Sequence, residues 1–109
     1  MNSQQKIINL LTICRRAGKA VIGFDAVSDA IKKKQAFCVL VSSDVSANTL
    51  KEISFLCSKY NVKLLSTSIT KNEYSFYLRK QTAVIAVCDE GFSKRFAELS
   101  ESQDELNDT

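Results

Sequence analysis

The chain reads as an α/β domain in which helices cover both faces of a small sheet. Three observations carry that reading. Continuous apolar runs of strand length, Ala36–Val41 and Ala83–Val87, alternate with segments whose apolar residues recur at helical spacing. Such strands are buried on both faces, which requires a layer of helix on each side. Cap or turn chemistry stands at the boundaries, at Gly18, Ser46, Thr70 and Gly91. With 109 residues, 45% hydrophobic and 25% charged, the sequence suits one domain with one unstapled core.

The elements follow in order. Asn2, with Gln5 three residues on, predicts a capping-box helix start. Ile7, Leu10, Leu11, Cys14 and Ala17 then recur at helical spacing, and Gly18 predicts the stop. Lys19–Ile22 is a short extended connection suited to a small edge strand. A second helix is expected over Phe24–Lys34, with Val27, Ala30 and Ile31 facing the core. Its final Lys32, Lys33 and Lys34 suit the negative end of the helix dipole.

Ala36–Val41 is a doubly buried strand ended by Ser42, Ser43 and Asp44. Ser46 caps a third helix striped by Leu50, Ile53, Leu56, Cys57 and Tyr60 and closed by Asn61. Val62–Leu65 is the next strand. Thr70 and Glu73 form a capping box for a short helix through Tyr74, Tyr77 and Leu78. Ala83–Val87 is the last strand, and Asp89-Glu90-Gly91 turns into a helix around Phe92, Phe96 and Leu99. The domain is expected to span residues 1–99. The acidic tail, 100–109, lacks apolar periodicity and is expected to fray.

Composition narrows the function. No apolar run approaches the ~20 residues of a membrane span, and no signal-peptide pattern opens the sequence. A cytoplasmic location without membrane contact is the expectation. Cys14, Cys38, Cys57 and Cys88 form no C-x-x-C pair and the chain has no histidine, so no metal site is expected. The four are read as buried free thiols. The absence of histidine also removes the commonest general base and the usual nucleophile partners. Asp89 and Glu90 suit a helix cap, and Ser42, Ser43 and Ser46 suit capping. Neither G-x-G-x-x-G nor G-x-x-x-x-G-K-[ST] is present. No enzyme and no cofactor are expected.

Charge points elsewhere. All fifteen Lys and Arg residues fall within residues 1–96 against seven acidic ones, giving that body a charge of +8. A basic body of this size suits a polyanion. Two clusters stand out. The stretch Arg15–Asp25 sets Gly18 and Gly23 among three cations before a helix start, a geometry that favours anions. The second is Arg79-Lys80-Gln81-Thr82, a loop before the last strand. If the loop lies beside Gly23, the two form one positive surface containing Lys19, Lys33 and Lys80.

Several short motifs in fixed order carry a resemblance. Arg16-Ala17-Gly18-Lys19, Gly23, Asp44–Leu50 with Lys51, Tyr60-Asn61-Val62 and Asp89-Glu90-Gly91-Phe92 resemble the ribosomal protein L7Ae family, in particular its bacterial YlxQ-like branch. The resemblance covers residues 6–99. It implies a three-layer α-β-α sandwich with a small mixed sheet. It also implies binding of structured RNA, kink-turns or related internal loops, in ribosomal or translation-associated particles. The implied partners are structured RNA, ribosomal above all, and ribosome or translation-factor surfaces, with no DNA expected.

The same resemblance places the binding surface at the start of the second helix and in the loop before the last strand. In this chain those positions are Lys19, Gly23, Phe24, Asp25, Ala26, Lys33, Arg79, Lys80, Gln81 and Thr82. Kink-turn binders of the family show Gly-x-Asn-Glu-x-x-Lys at the helix start. Gly23 matches the glycine, but Asp25, Ala26 and Asp29 stand at the Asn, Glu and Lys positions. Lys33 matches a basic family position, and Lys34 replaces a glycine that often ends this helix. Asp29 opposes a phosphate where a cation is expected. Two functions therefore stay open: an RNA-binding protein reading RNA by shape, or a protein-interaction module that kept the fold and lost standard kink-turn recognition.

Overall fold

The computed structural model describes residues 3–107, with side chains described over 4–100. Five helices and four strands follow one another as α1 (Ser3–Arg16), β1 (Ala20–Ile22), α2 (Phe24–Lys32), β2 (Cys38–Val41), α3 (Ala47–Tyr60), β3 (Lys63–Ser66), α4 (Lys71–Leu78), β4 (Val84–Val87) and α5 (Glu90–Asn107). The strands make one mixed sheet in the order β1-β4-β2-β3. β4 runs antiparallel to both β1 and β2, while β2 and β3 are parallel.

Alternation along the two central strands builds two cores. Cys38 and Leu40 of β2 and Ile85 and Val87 of β4 face Ile7, Ile8, Leu11 and Cys14 of α1, Tyr74 and Leu78 of α4, and Phe96 and Leu99 of α5. Val39, Val41, Val84 and Ala86 face Val27, Ala30 and Ile31 of α2 and Ile53 and Cys57 of α3. The result is the three-layer α-β-α sandwich. The doubly buried strands are those whose apolar runs are continuous in the sequence.

Local chemistry sets the ends of the helices. At the close of α1, the Gly18 N–H donates to the Arg15 carbonyl and the Lys19 N–H to that of Cys14, both at 3.0 Å, with Gly18 at φ 73°. This is the Schellman arrangement that satisfies otherwise orphaned carbonyls. Ser46 accepts the Thr49 N–H, and Thr70 and Glu73 complete a reciprocal capping box, as their spacing predicts.

Some expectations shift. α2 stops at Lys32, two residues short of Lys34, because Lys34 takes the left-handed conformation at φ 60°. Ala17 is exposed because it lies beyond the last turn of α1, and Ile8 is buried with Ile7 because α1 is flanked by α5 as well as the sheet. Tyr77 is turned outward beside Phe76, leaving Tyr74 and Leu78 as the buried face of α4. Cys88 is only half-buried, one residue past the end of β4.

α5 continues to Asn107, beyond the apolar stripe that ends at Leu99. Glu98, Glu101, Gln103 and Glu105 are good helix formers, and neither Gly nor Pro interrupts them. Asn2 and residues 108–109 lie outside the described residues, as do the side chains of 101–107.

Candidate nucleic-acid interface

The start of α2 is a backbone device. Gly23 sits at φ 101° and ψ 151°, a region essentially reserved for glycine. Its carbonyl accepts the Val27 N–H at 2.9 Å, opening the helix, and no side-chain cap is present among the described residues. The first-turn amides therefore face outward, between the exposed residues Phe24, Asp25 and Ala26. An outward N–H array at a helix start attracts negative charge.

The loop before β4 lies against this helix start. Gly23 N–H donates to the Val84 carbonyl at 3.3 Å, extending the β1–β4 ladder one residue beyond the Ile22–Ile85 pair. Thr82 Oγ1 donates to the same carbonyl at 2.6 Å and accepts the Val84 N–H at 3.2 Å. Thr82 is thus buried, and its hydroxyl shapes the loop instead of facing a ligand. Arg79, Lys80 and Gln81 are exposed beside it. Arg79 ends α4 at φ 59°, with its N–H on the Ser75 carbonyl at 2.8 Å. Arg15 of α1 donates from Nη1 to the Leu78 carbonyl, joining the basic end of α1 to the end of α4.

The structure brings some of the predicted residues together and sets two of them apart. Cys88 N–H donates to the Lys19 carbonyl at 2.8 Å, so Lys19 stands at the far end of β4 from Val84. Four residues of extended chain put it roughly 13 Å from Gly23. Lys33 is at that far end too, because α2 runs its full length before Phe37 N–H reaches the Val87 carbonyl. Its ammonium pairs with Asp29 at 2.9 Å. The united surface comprises Gly23, Phe24, Asp25 and Ala26 with Arg79, Lys80 and Gln81, supported from beneath by Thr82; Lys19 and Lys33 are not part of it.

Beside the α2 start, a groove of about 750 Å³ opens between α2 and α3, lined by Phe24, Asp25, Ser28, Asp29, Lys51, Glu52 and Phe55 among others. Phe55 and Phe76 are exposed aromatics that the apolar stripes of their helices leave out. Their positions between stripe residues are the signal by which the sequence could have singled them out.

Asp89 and three buried thiols are structural. Asp89 accepts the Phe92 N–H at 2.9 Å through Oδ2 and the Ser93 N–H at 3.0 Å through its carbonyl, which makes it the cap of α5. Burial pushes the Cys14 thiol up to about 12 and those of Cys38 and Cys57 to about 11, so all three stay protonated at neutral pH. Among the described residues no group of three or more potential ligands converges on a metal position, and no helix is long and apolar enough to cross a membrane.

Residues 5–97 match the ribosomal protein L7Ae/L30e/S12e/Gadd45 family. The chain belongs to that family. An RNA-binding protein YlxQ from Enterococcus faecium is 31% identical over 99 residues, covering 91% of this chain and 95% of the relative. An RNA-binding protein YlxQ from Bacillus subtilis (strain 168) is 32% identical over 93 residues, covering 83% and 90%. A solved protein of unknown function from Bacillus halodurans C superposes with a TM-score of 0.82 at 28% identity, over 88% of this chain and 97% of the other. A Giardia lamblia 15.5kD RNA binding protein shares the L7Ae-type fold, with a TM-score of 0.74 at 15% identity over 95% and 89%.

Proposed function

We propose that this chain is a non-enzymatic RNA-binding protein that recognises structured RNA, a kink-turn-related or other internal loop, in a ribosome- or translation-associated setting in the cytoplasm. The observation that carries the reading is the join at Val84. It sets the uncapped start of α2 beside Arg79–Gln81, so outward amides and two cations share one surface. In that arrangement Arg79 and Lys80 take phosphates and fix the register, while the glycine backbone permits close approach. The relatives named for RNA binding support the same class of partner.

The alternative, a protein-interaction module, is favoured by one observation. Asp25, Ala26 and Asp29 replace the base-reading and phosphate-facing residues of kink-turn binders, and Asp29 is held in an ion pair with Lys33. Crosslinking the protein to RNA in its own cells and sequencing the bound RNA separates the two. One enriched structured site is the expected result. No enrichment over background would overturn the RNA reading and leave the interaction module.

A further inference from the structure

The exposed end of α4 carries an aromatic pair that the core does not use. Phe76 is 78% exposed and Tyr77 41% exposed. Their rings meet edge to face, with centroids 5.0 Å apart. That contact holds both rings outward in a fixed relation, since Tyr74 and Leu78 anchor the other face of the helix in the core.

Among the described residues, the charges set beside the end of α4 are cationic, while the carboxylates bonded to this helix, Asp44 and Glu73, lie at its start. Arg79 and Lys80 follow it directly, and the bond from Arg15 to the Leu78 carbonyl brings the end of α1, with Arg15 and Arg16, against the same helix end. Residues 1–24 contain no acidic residue. Between Lys71 and Ala83 the one carboxylate is Glu73, which is engaged by the Thr70 N–H and by Gln4. Exposed aromatic faces among unopposed cations are the chemistry by which proteins hold unpaired nucleotides, stacking for the bases and salt-sensitive contacts for the phosphates.

We propose that Phe76 and Tyr77 form a stacking platform for unpaired nucleotides, with Arg15, Arg16, Arg79 and Lys80 holding the intervening phosphates. The platform continues the surface at Gly23 along the loop 79–83, so it takes the single-stranded flank of an RNA whose folded part meets α2. This rests on the RNA-binding reading and extends it to a second chemical class of contact.

The chain contains no tryptophan, so Phe76→Trp introduces a single fluorescent reporter at the proposed platform. The full chain is titrated with the oligonucleotide rA10 and, separately, with purified ribosomal RNA. The expected results are saturable quenching of Phe76→Trp by rA10 and at least about fivefold weaker rA10 binding by Phe76→Ala, the effect of one lost base–aromatic stack. Phe37→Ala, an exposed aromatic at the Val87 end of β4, away from the loop 79–83, binds rA10 like the parent. Unquenched Phe76→Trp, or Phe76→Ala binding rA10 as the parent does while ribosomal RNA is still retained, overturns the platform and leaves the RNA reading standing. Binding of neither probe by the parent chain overturns the RNA reading itself. Because Phe76 projects from the core, its substitution leaves folding intact, which circular dichroism checks.

Discussion

Gly23 and Thr82, fifty-nine residues apart, donate hydrogen bonds to the same atom, the carbonyl oxygen of Val84, at 3.3 and 2.6 Å. That oxygen stands on the first residue of β4, a central strand buried on both faces. The loop and the helix start are thereby registered onto a fully buried central strand. A binding surface assembled from two segments is held in place by backbone and hydroxyl groups, leaving its outward side chains free for a partner.

Replacing Gly23 tests the backbone part of this device. A methyl group built there meets no described atom within 4 Å, so the penalty of Gly23→Ala is backbone strain at φ 101° and not a clash. Strain of this kind amounts to about 1–3 kcal/mol. Urea denaturation should show that loss, together with weakened RNA binding as the helix start shifts. Gly18→Ala, at φ 73° in the ordinary left-handed region, should be milder and leave RNA affinity in place.

The division of the lysines gives a sharper test. Lys80→Ala and Arg79→Ala should each flatten the dependence of log affinity on log salt by about one unit, the signature of one lost phosphate contact. Lys33→Ala and Lys19→Ala should leave the slope unchanged, since both stand at the other end of the sheet and Lys33 is paired with Asp29. Equal effects at all four positions would mean that a diffuse positive field, and not this surface, holds the RNA.

The contrast between Lys33 and Lys80 also shows what a sequence can and cannot carry. Caps, stripes and buried runs are local, so the Thr70–Glu73 box, the Ser46 cap and the two central strands were legible from spacing alone. The proximity of Gly23 to the loop 79–82 is non-local, set by β1 pairing with β4, and no spacing encodes it. The same pairing removes Lys19, because an antiparallel edge strand sends its two ends to opposite ends of its neighbour. Thr82 was legible as a loop residue, but its inward turn depends on the Val84 backbone. Tyr74, Tyr77 and Leu78 mark a helix in the sequence, yet only packing decides that Tyr74 faces in while Phe76 and Tyr77 face out.

Arg79 combines an unfavourable conformation with a placement useful for binding. At φ 59° a non-glycine residue is strained by about 1 kcal/mol. Arg79→Gly should therefore raise stability by about that amount while lowering RNA affinity, as a phosphate contact goes. Lys34 occupies the same conformation at the end of α2, with the Gln35 N–H on the Ala30 carbonyl at 2.9 Å. Lys34→Gly should raise stability alike and leave RNA binding unchanged. Thermal melts and salt titrations on both variants separate strain retained for binding from strain without that role.

The buried thiols and phenol predict alkaline sensitivity. Burial raises Cys14 to about 12, Cys38 and Cys57 to about 11, and Tyr74 to about 12, from ordinary values of 9.0 and 10.0. The unfolded chain releases these protons first, so the folded state binds more protons above pH 9. Stability is then full below about pH 9 and falls as pH rises toward the folded values near 11–12. The urea midpoint should drop between pH 8 and pH 10.5, and Cys38→Ala should make that drop shallower. A midpoint independent of pH over this window would mean that the thiols are not held neutral by burial.

Restoring the residues that distinguish kink-turn binders addresses specificity directly. Asp25, Ala26 and Asp29 lie within the first two turns of α2, and all are exposed, so Asp25→Asn, Ala26→Glu and Asp29→Lys can be combined without touching the core. Asp29→Lys also breaks the pair with Lys33 and sets two lysines one turn apart, together a helix cost of about 0.4–1 kcal/mol. Against that stands the exchange of a phosphate-opposing carboxylate for a cation, and the gain of groups that can bond base edges. One charge-assisted hydrogen bond contributes about 1.5–3 kcal/mol, and about 1.4 kcal/mol is tenfold in affinity. The triple variant should bind a standard kink-turn RNA at least about tenfold tighter than the parent. Equal affinities would show that these three positions do not limit kink-turn binding by this chain.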